Sequence, residues 1–217
     1  MKDIFHKPAF DRISNERKEK ILEVGVDEFS KNGFDGANIN VIANKAGISV
    51  GLMYKYFSTK EDLFLTCINY GTEILEEVLT DIIESDEKLL KKTERLIRET
   101  QLHSRSHENY TRLYCSLTSE NNARFISKVS KLETLSASVY IKAIEQAKAD
   151  GDIRDDCDPK LFAFFLDSIL TTLQFSYVCD YYRERFKIFT GIDICDDDDA
   201  VAEQLLKFLE SAFTFKK

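Results

Sequence analysis

The chain has 217 residues and a net charge of −8, and 43% of its residues are hydrophobic while 31% are charged, which predicts a soluble globular protein. Because no run of about 18 uncharged apolar residues occurs, no membrane span is expected. The N-terminus lacks the apolar segment and cleavage site of a signal peptide. We therefore expect a cytoplasmic protein with no membrane partner.

The charge is unevenly distributed along the chain. Residues 1–60 hold 10 basic and 8 acidic side chains, whereas residues 61–217 hold 20 basic and 30 acidic ones. A mildly basic first part can bind nucleic acid even when the whole chain is acidic, because the distribution of charge matters more than its sum.

The sequence shows no pattern typical of a catalytic or metal site. Its five cysteines are widely spaced and include no C-x-x-C pair: Cys67, Cys115, Cys157, Cys179 and Cys195. This spacing predicts neither a zinc site nor a disulfide framework. A Ser/His/Asp set, a phosphate-binding glycine loop and a His/Cys cluster are also lacking. We therefore expect no catalytic residue, no metal and no cofactor.

Apolar residues recur at helical spacing along most of the chain, and strand-like alternation is almost absent, so an all-α fold is predicted. Gly33 is expected to end the first helix, and Asn38 and Ser49 are expected to cap the second and third helices. The predicted helices are 15–32, 39–46, 50–57, 60–84, 87–105, 108–118, 122–149, 159–187 and 198–215.

Three further helix starts carry recognisable signals. Thr59 and Asp62 resemble a capping box, although Asp is a weaker partner there than Glu. Asp158 precedes Pro159, a pair suited to an N-cap and a first turn. The acidic run 196–199 fits the positive N-terminal end of the last helix, and a metal site is the less favoured alternative.

The second and third helices, joined by Ala46-Gly47-Ile48-Ser49, match a helix-turn-helix. Gly47 allows the tight reversal, and Ile48 can fill the angle between the helices. Gly51 early in the third helix costs about 1 kcal/mol relative to Ala. Its presence is explained either by a close approach to DNA or by relief of a steric clash within the chain.

A dense set of residues in this region forms a recognisable pattern: Ile21, Leu22, Phe29, Gly33, Phe34, Ile42, Ala43, Ala46, Gly47, Ile48, Ser49, Gly51, Tyr54, Tyr56, Phe57, Lys60, Glu61, Leu63 and Phe64. The pattern resembles the TetR/AcrR family of transcriptional repressors and covers about residues 14–66. Beyond residue 67 only the helical layout is similar.

The resemblance implies an N-terminal three-helix DNA-binding domain over residues 1–58 and a helical effector-binding and dimerisation domain over residues 59–217. It implies that the third helix enters the major groove of double-stranded operator DNA. The positions that match phosphate contacts are Asn38, Tyr54, Tyr56 and Lys60. The positions near base edges are Asn40, Val50, Gly51, Leu52 and Lys55, and Ser49 at the helix start completes the set of DNA-binding residues.

Two positions depart from the family pattern. Asn38 stands where Thr is usual, although it caps a helix equally well. Leu52-Met53 replaces a more frequent Thr/Ser-Leu pair, which removes a polar contact expected at position 52. The operator sequence of a relative therefore does not carry over to this chain.

The C-terminal part is rich in aromatic residues, which suit an apolar or planar effector but are also ordinary core residues. The candidate effector contacts are His103, His107, Tyr110, Tyr114, Phe165 and Tyr177. The four at positions 103–114 lie three to four residues apart on helical stretches and can equally be solvated or core groups.

Apolar stripes in the last two predicted helices indicate a homodimer, as the resemblance also implies. The residues of the two stripes are Leu161, Phe165, Ile169, Thr172, Val201, Leu205, Phe208, Leu209 and Ala212. The sequence thus predicts a repressor that a small effector releases from its operator. The alternatives are a helical interaction protein without DNA binding and, less favoured, an uncharacterised enzyme.

Overall fold

The computed structural model describes residues 4–118 and 120–214, in which every regular element is helical. The helices are α1 (Pro8–Asp11), α2 (Asn15–Gly36), α3 (Ile39–Lys45), α4 (Val50–Tyr56), α5 (Lys60–Glu84), α6 (Leu89–Ser106), α7 (Glu108–Leu117), α8 (Ile126–Ala149), α9 (Pro159–Val178), α10 (Asp180–Thr190) and α11 (Asp198–Phe213). A 3-10 helix, Glu120–Phe125, precedes α8. The all-α prediction is confirmed.

Most predicted helix ends agree with the structure, because the residues expected to cap them do so. Gly33 interrupts α2 with φ 66° and ψ 174°, as its predicted role as a stop requires. The Thr59 amide donates to Asp62 Oδ2 and the Asp62 amide donates to Thr59 Oγ1, both at 3.0 Å. Asp158 Oδ1 accepts from the first amides of α9.

The structure differs from the predicted helices in three places. The helix predicted over 122–149 begins within the 3-10 helix Glu120–Phe125 and becomes α-helical only at Ile126. The short helix α1 was not predicted, because four residues are too few to show a helical period. The single helix predicted over 159–187 is two helices, α9 and α10, which meet at Cys179 in an extended conformation (φ −103°, ψ 120°). The last turn of α9 is buried, whereas α10 has no buried residue, so the chain leaves the core at Cys179. Of the predicted last helix, residue 215 lies outside the described residues.

Contacts divide the chain into two compact units. The first comprises Met1–Ile74 and Arg112–Ser130, and the second comprises Leu75–Thr111 and Lys131–Lys217. The predicted domain boundary at residue 58 stays a prediction. The first unit thus includes the start of α5 and a segment distant in sequence, around the 3-10 helix.

The first unit is built around a cluster of aromatic side chains. The Phe64 ring lies 5.0 Å from Phe29 and 4.8 Å from Phe125, measured between centroids, and Phe34 lies 4.9 Å from Phe125. Aromatic pairs at these separations stabilise a core beyond their buried area. The 3-10 helix therefore supplies a core residue to the unit that holds α2, α3 and α4.

In the second unit, α6 packs against α9 and α11 over an aliphatic core. α11 runs antiparallel to α9, because Tyr177 near the end of α9 bonds to Asp198 at the start of α11, while Phe162 near the start of α9 contacts Phe213 at the end of α11. Among the described helices, α9 alone has the length and composition to cross a membrane, and 44% of that stretch is buried within the chain. One such helix is a weak indication, since core helices share this composition.

Candidate nucleic-acid interface

The predicted helix-turn-helix is formed by α3 and α4. Gly47 adopts φ 71°, which permits the tight turn between them. The Ile48 amide donates to the Ala43 carbonyl at 3.0 Å and closes the turn. Asn38 Oδ1 accepts from the Asn40 amide at 2.9 Å, and Ser49 Oγ accepts from the Leu52 amide at 3.2 Å, so each helix begins at its predicted cap.

The two faces of α4 differ sharply in burial. Met53 is fully buried and fixes the helix to the core, whereas Gly51, Tyr54 and Lys55 are exposed. Val50 and Leu52 are half-buried beside them, and the predicted partners Asn38 and Asn40 at the start of α3 are exposed. The outer face of the motif therefore presents most of the residues predicted to contact DNA.

Tyr56 differs from the other predicted contacts, because only 4% of its surface is exposed. Its ring lies 5.8 Å from that of Phe10 in an edge-on arrangement. The structure thus places its side chain in the packing of the first unit. Its contact with a phosphate stays a prediction.

Lys60 is half-buried and already bonded within the chain. Its ammonium donates to the Asp35 carbonyl at 3.0 Å and to the Ala37 carbonyl at 3.1 Å, and lies 4.9 Å from the Phe34 ring centroid. These bonds attach the start of α5 to the end of α2. Any contact of Lys60 with a phosphate is additional to this positioning role.

Gly51 has no steric reason within the chain to be a glycine. A Cβ built at this position meets only Ser49 Oγ, at 4.0 Å, which is an ordinary contact distance, and its φ is not positive. Glycine is a poor helix former, and Gly51 lies at an open position that faces outward. This favours a close approach to DNA over relief of a steric clash as the reason for the glycine.

The N-terminal segment supports α4 in a way that the sequence did not reveal. The Lys7 amide donates to the Tyr56 carbonyl at 2.8 Å, and the Lys7 ammonium donates to the Tyr54 carbonyl at 2.9 Å. Carbonyl groups in the last turn of a helix have no partner within it, so a donor from outside stabilises that end. Phe10 packs 4.9 Å from Phe57 beside it.

Glu28 is a second positioning residue that sequence reasoning missed. Its side chain is almost fully buried, and Oε1 accepts from the Asn38 amide at 3.3 Å. Lys45 lies 3.7 Å from its other oxygen. A carboxylate on α2 thereby fixes where α3 begins, and a lone Glu on a predicted helix gives no signal of such a role.

Three of the candidate effector contacts lie together near the junction of α6 and α7. The rings of His103 and His107 stack with 4.6 Å between centroids, and Tyr110 lies 6.3 Å from His107. Burial, with a smaller contribution from His107, lowers the pKa of His103 to about 4, so this imidazole is neutral at pH 7. Tyr114 is half-buried, one turn further along α7.

The other two effector candidates have different surroundings. The Tyr177 hydroxyl accepts from Gln101 Nε2 at 3.1 Å and donates to Asp198 Oδ1 at 2.7 Å, which joins α6, α9 and α11. Burial raises the pKa of this hydroxyl well above its usual range. Phe165 is 54% exposed on α9. The structure therefore does not place these two in the His103 group.

Comparison with known proteins agrees with this geometry. Residues 21–67 match the family described as "Bacterial regulatory proteins, tetR family". The HTH-type transcriptional regulator YhgD of Bacillus subtilis is 27% identical over 168 residues, which cover 76% of this chain and 86% of that protein. The HTH-type transcriptional repressor NicS of Pseudomonas putida is 27% identical over 194 residues, covering 82% of each.

The chain is a TetR-family transcriptional regulator. A solved structure of FadR from Bacillus subtilis, in complex with stearoyl-CoA, has a TM-score of 0.70 and 17% identity, and the match covers 87% of this chain and 97% of that one. At this identity the likeness shows the fold alone, an N-terminal helix-turn-helix followed by a helical body.

The first unit, called the head below, includes a contact that no local motif indicates. Arg124 of the 3-10 helix lies 2.8 Å from Asp35 Oδ1, and its guanidinium lies 4.8 Å from the Phe34 ring centroid. Two cations thus contact the Phe34 ring, the Lys60 ammonium of α5 and the Arg124 guanidinium of the 3-10 helix. Residues nearly 90 positions apart in sequence hold the end of α2.

Proposed function

We propose that this TetR-family chain is a homodimeric repressor that binds operator DNA through α4 and leaves it when a small effector binds the C-terminal part. The observation that carries the proposal is the outer face of α4, where Gly51, Tyr54 and Lys55 are exposed while Met53 is fixed in the core. A short helix held by its inner face can enter a major groove without losing its own packing.

Contacts of the head with DNA fall into two kinds, those that position the protein and those that read bases. Amide, hydroxyl and ammonium groups suit phosphates, and we assign the phosphate contacts to Asn38, Tyr54 and Lys60. Tyr56, whose ring is buried, would reach a phosphate only through its hydroxyl. We assign the contacts with base edges to the remaining residues of the motif: Asn40, Ser49, Val50, Gly51, Leu52 and Lys55. The apolar side chains among them would meet thymine methyl groups.

The dimer would form through α9 and α11, since both carry apolar side chains that the described part of the chain leaves uncovered. On α9 these include Leu161 and Phe165, and on α11 Phe208 is 62% exposed beside the buried Leu209. An isologous contact is the commonest way to cover such a surface. It would also present two heads to half-sites about 34 Å apart on one face of a duplex.

An apolar or planar effector suits the aromatic C-terminal part, with His103, His107 or Tyr110 as polar contacts and Tyr114 and Tyr177 as further candidates. Phe165, being exposed, serves the dimer contact better than an enclosed pocket. The stearoyl-CoA of FadR is an example of a ligand with a long apolar part on this fold.

The switch acts through α5, whose 25 residues span about 37 Å at 1.5 Å each. Residues 1–58 would act as the DNA-binding domain and residues 59–217 as the effector-binding and dimerisation domain. A small tilt of such a helix moves its first residues by several ångströms and breaks the spacing of the two heads. The protein works in the cytoplasm by binding equilibria, without catalytic turnover.

Two lysine variants test the assignment of DNA contacts. Lys55→Ala should alter base preference at one position of each half-site, by about 1–3 kcal/mol between right and wrong base. Lys60→Ala should weaken binding to all sequences and lower the salt slope by about one unit. Because Lys60 also holds two carbonyls, circular dichroism should first establish that this variant is folded. Equal, sequence-independent losses for both variants would contradict the assignment.

Reciprocal titration tests the switch. Operator affinity is measured with and without candidate acyl and aromatic ligands, and ligand affinity is measured with and without operator. Both should change by the same factor, corresponding to about 1–3 kcal/mol of coupling. A ligand that binds the C-terminal part and leaves operator affinity unchanged would exclude this mechanism.

A further inference from the structure

Helix α10 has an apolar face that the described residues of the chain leave uncovered. Tyr181 and Ile188 lie seven residues apart on one face of α10, Phe189 is 76% exposed beside them, and the exposed Ile192 follows just after the helix ends at Thr190. The side of α10 that packs on its own chain includes Tyr182, whose ring lies 5.4 Å from that of Phe175, and the partly buried Phe186. The helix is thus attached by one edge and uncovered on the other.

The packing of α10 within its own chain is only partial. α10 has 11 residues and no buried residue, and helices shorter than about 12–15 residues are marginal in water when packing does not support them. Two aromatic and two aliphatic side chains lie exposed close together here, and contiguous exposed apolar patches on a protein often mark an interaction site.

A second uncovered patch lies at the opposite end of α9. Leu161 and Phe164, both on the first two turns of α9, are more than half exposed. The segment that leads into them is acidic, with Arg154 as its one basic residue and five aspartates: Asp150, Asp152, Asp155, Asp156 and Asp158. α10 has a small excess of basic residues, three against Asp180 and Glu184; Arg185 stacks 5.0 Å from the Phe189 ring and Lys187 is exposed nearby. Of the aspartates, Asp152 pairs with Lys88 and Asp156 pairs with Arg154 within the chain.

One copy of the chain cannot join these two patches. α9 has 20 residues, so its ends lie about 30 Å apart, with α10 following the last turn and the acidic segment preceding the first. A two-fold axis across α9 places the end of one copy beside the beginning of the other. The α10 face of each copy then lies beside the start of α9 in the other copy.

We propose that α10 docks on a second copy of this chain, where Tyr181, Ile188 and Phe189 cover Leu161 and Phe164 of that copy and its basic residues face the acidic segment. This inference rests on the proposed homodimer and adds a swapped contact of α10 at the edge of the α9 and α11 surface, where Leu161 lies in both. The dimer contact would therefore extend beyond the last two predicted helices.

Cysteine cross-linking tests the contact in the full chain, with the exposed Cys195 replaced by serine. Mild oxidation of the double variant Phe164→Cys, Ile188→Cys should give a covalent dimer on denaturing gels, and neither single variant should. If the double variant sediments as a dimer but does not cross-link, the docking of α10 is wrong while the proposed dimer stands. If the chain sediments as a monomer at micromolar concentration, the proposed dimer itself is wrong.

A second measurement does not depend on cross-linking geometry. Phe189→Glu should raise the Kd of the dimer about tenfold or more, because it places a charge in the apolar contact. Leu102→Glu, at an apolar position on α6 that is 61% exposed, is the control and should leave the Kd unchanged. Equal dimer Kd values for the wild type and Phe189→Glu would overturn the proposal.

Discussion

The two units of the chain differ in how they encode function. In the first unit, the residues that face outward from α3 and α4 are nearly consecutive, and the glycine and caps that shape them lie between them. In the second unit, the groups that meet in space come from distant helices, as Gln101, Tyr177 and Asp198 do. A DNA-reading surface can therefore be recognised from a short stretch of sequence, whereas an effector site is hidden among ordinary core residues.

The largest expected effect tests whether the 3-10 helix belongs with the DNA-binding head. Phe125 is 1% exposed between Phe34 and Phe64, so Phe125→Ala should cost about 3–5 kcal/mol through the cavity it leaves. Chemical denaturation followed by tyrosine fluorescence would measure the loss, with operator affinity measured in parallel. Leu102→Ala, at an exposed position, is the control and should change stability by less than about 0.5 kcal/mol. If the two variants were equally stable, the 3-10 helix would not contribute to the core of the DNA-binding head.

The next effect tests the polar network of the second unit. Tyr177→Phe removes the hydroxyl that accepts from Gln101 and donates to Asp198, and it leaves a buried donor without that partner. We expect a loss of about 1–3 kcal/mol in the free energy of unfolding. Tyr181→Phe, the same change at an exposed position, should have almost no effect on the monomer. A negligible loss for Tyr177→Phe would mean that water replaces the hydroxyl at no cost.

A pair of glycine variants separates fold from function within the head. Gly47→Ala forces an L-residue to φ 71° and should cost about 1–2 kcal/mol of stability. Gly51→Ala, in open space on α4, should stabilise the head by up to about 1 kcal/mol through helix propensity. The same variant should weaken operator binding, because its methyl group intrudes on the DNA. A Gly51→Ala variant that binds the operator as tightly as the wild type would remove the reason proposed for this glycine.

The smallest expected effect concerns His103, which is neutral in the folded chain. Its pKa of about 4 lies below the value of 6.5 for an unperturbed histidine, so the unfolded chain binds the proton more readily. The contribution of His103 to stability is therefore complete above pH 6.5 and declines as the pH falls toward 4. Denaturation of wild type and His103→Gln at pH 7 and pH 5 should show a smaller decline for the variant. If the stability of the wild type and of the variant fell by the same amount, the His103 imidazole would be exposed to water.

The helices of the first unit were predictable because each begins and ends at a residue with a strong local preference. Asn38, Gly47, Ser49 and Thr59 all act in the structure as the sequence indicated. The break between α9 and α10 was not predictable, since apolar and aromatic residues continue through it. Where α9 ends depends on tertiary packing, because its last turn is buried while the following turn, the first of α10, is not.

The candidate site was predicted less completely than the fold. The outward residues of α4 were identified, but Lys7, Glu28 and Arg124 were not. Each holds the motif through a carbonyl, an amide or a carboxylate far away in the sequence, and a single charged residue gives no periodic signal. Tyr56 shows the reverse case, a residue expected to face DNA whose ring is needed in the core.

Selection of binding sites from a randomised duplex library tests the central claim most directly. The wild-type chain should enrich a pseudo-palindrome whose half-sites are about 10 base pairs apart, or a multiple of this, because two α4 helices must enter successive major grooves. Lys55→Ala, selected in parallel, should change the preferred base at matching positions of both half-sites. A folded chain that enriches no sequence, or that enriches the same sequence with and without the Lys55 side chain, would contradict the account of α4 as the reading helix.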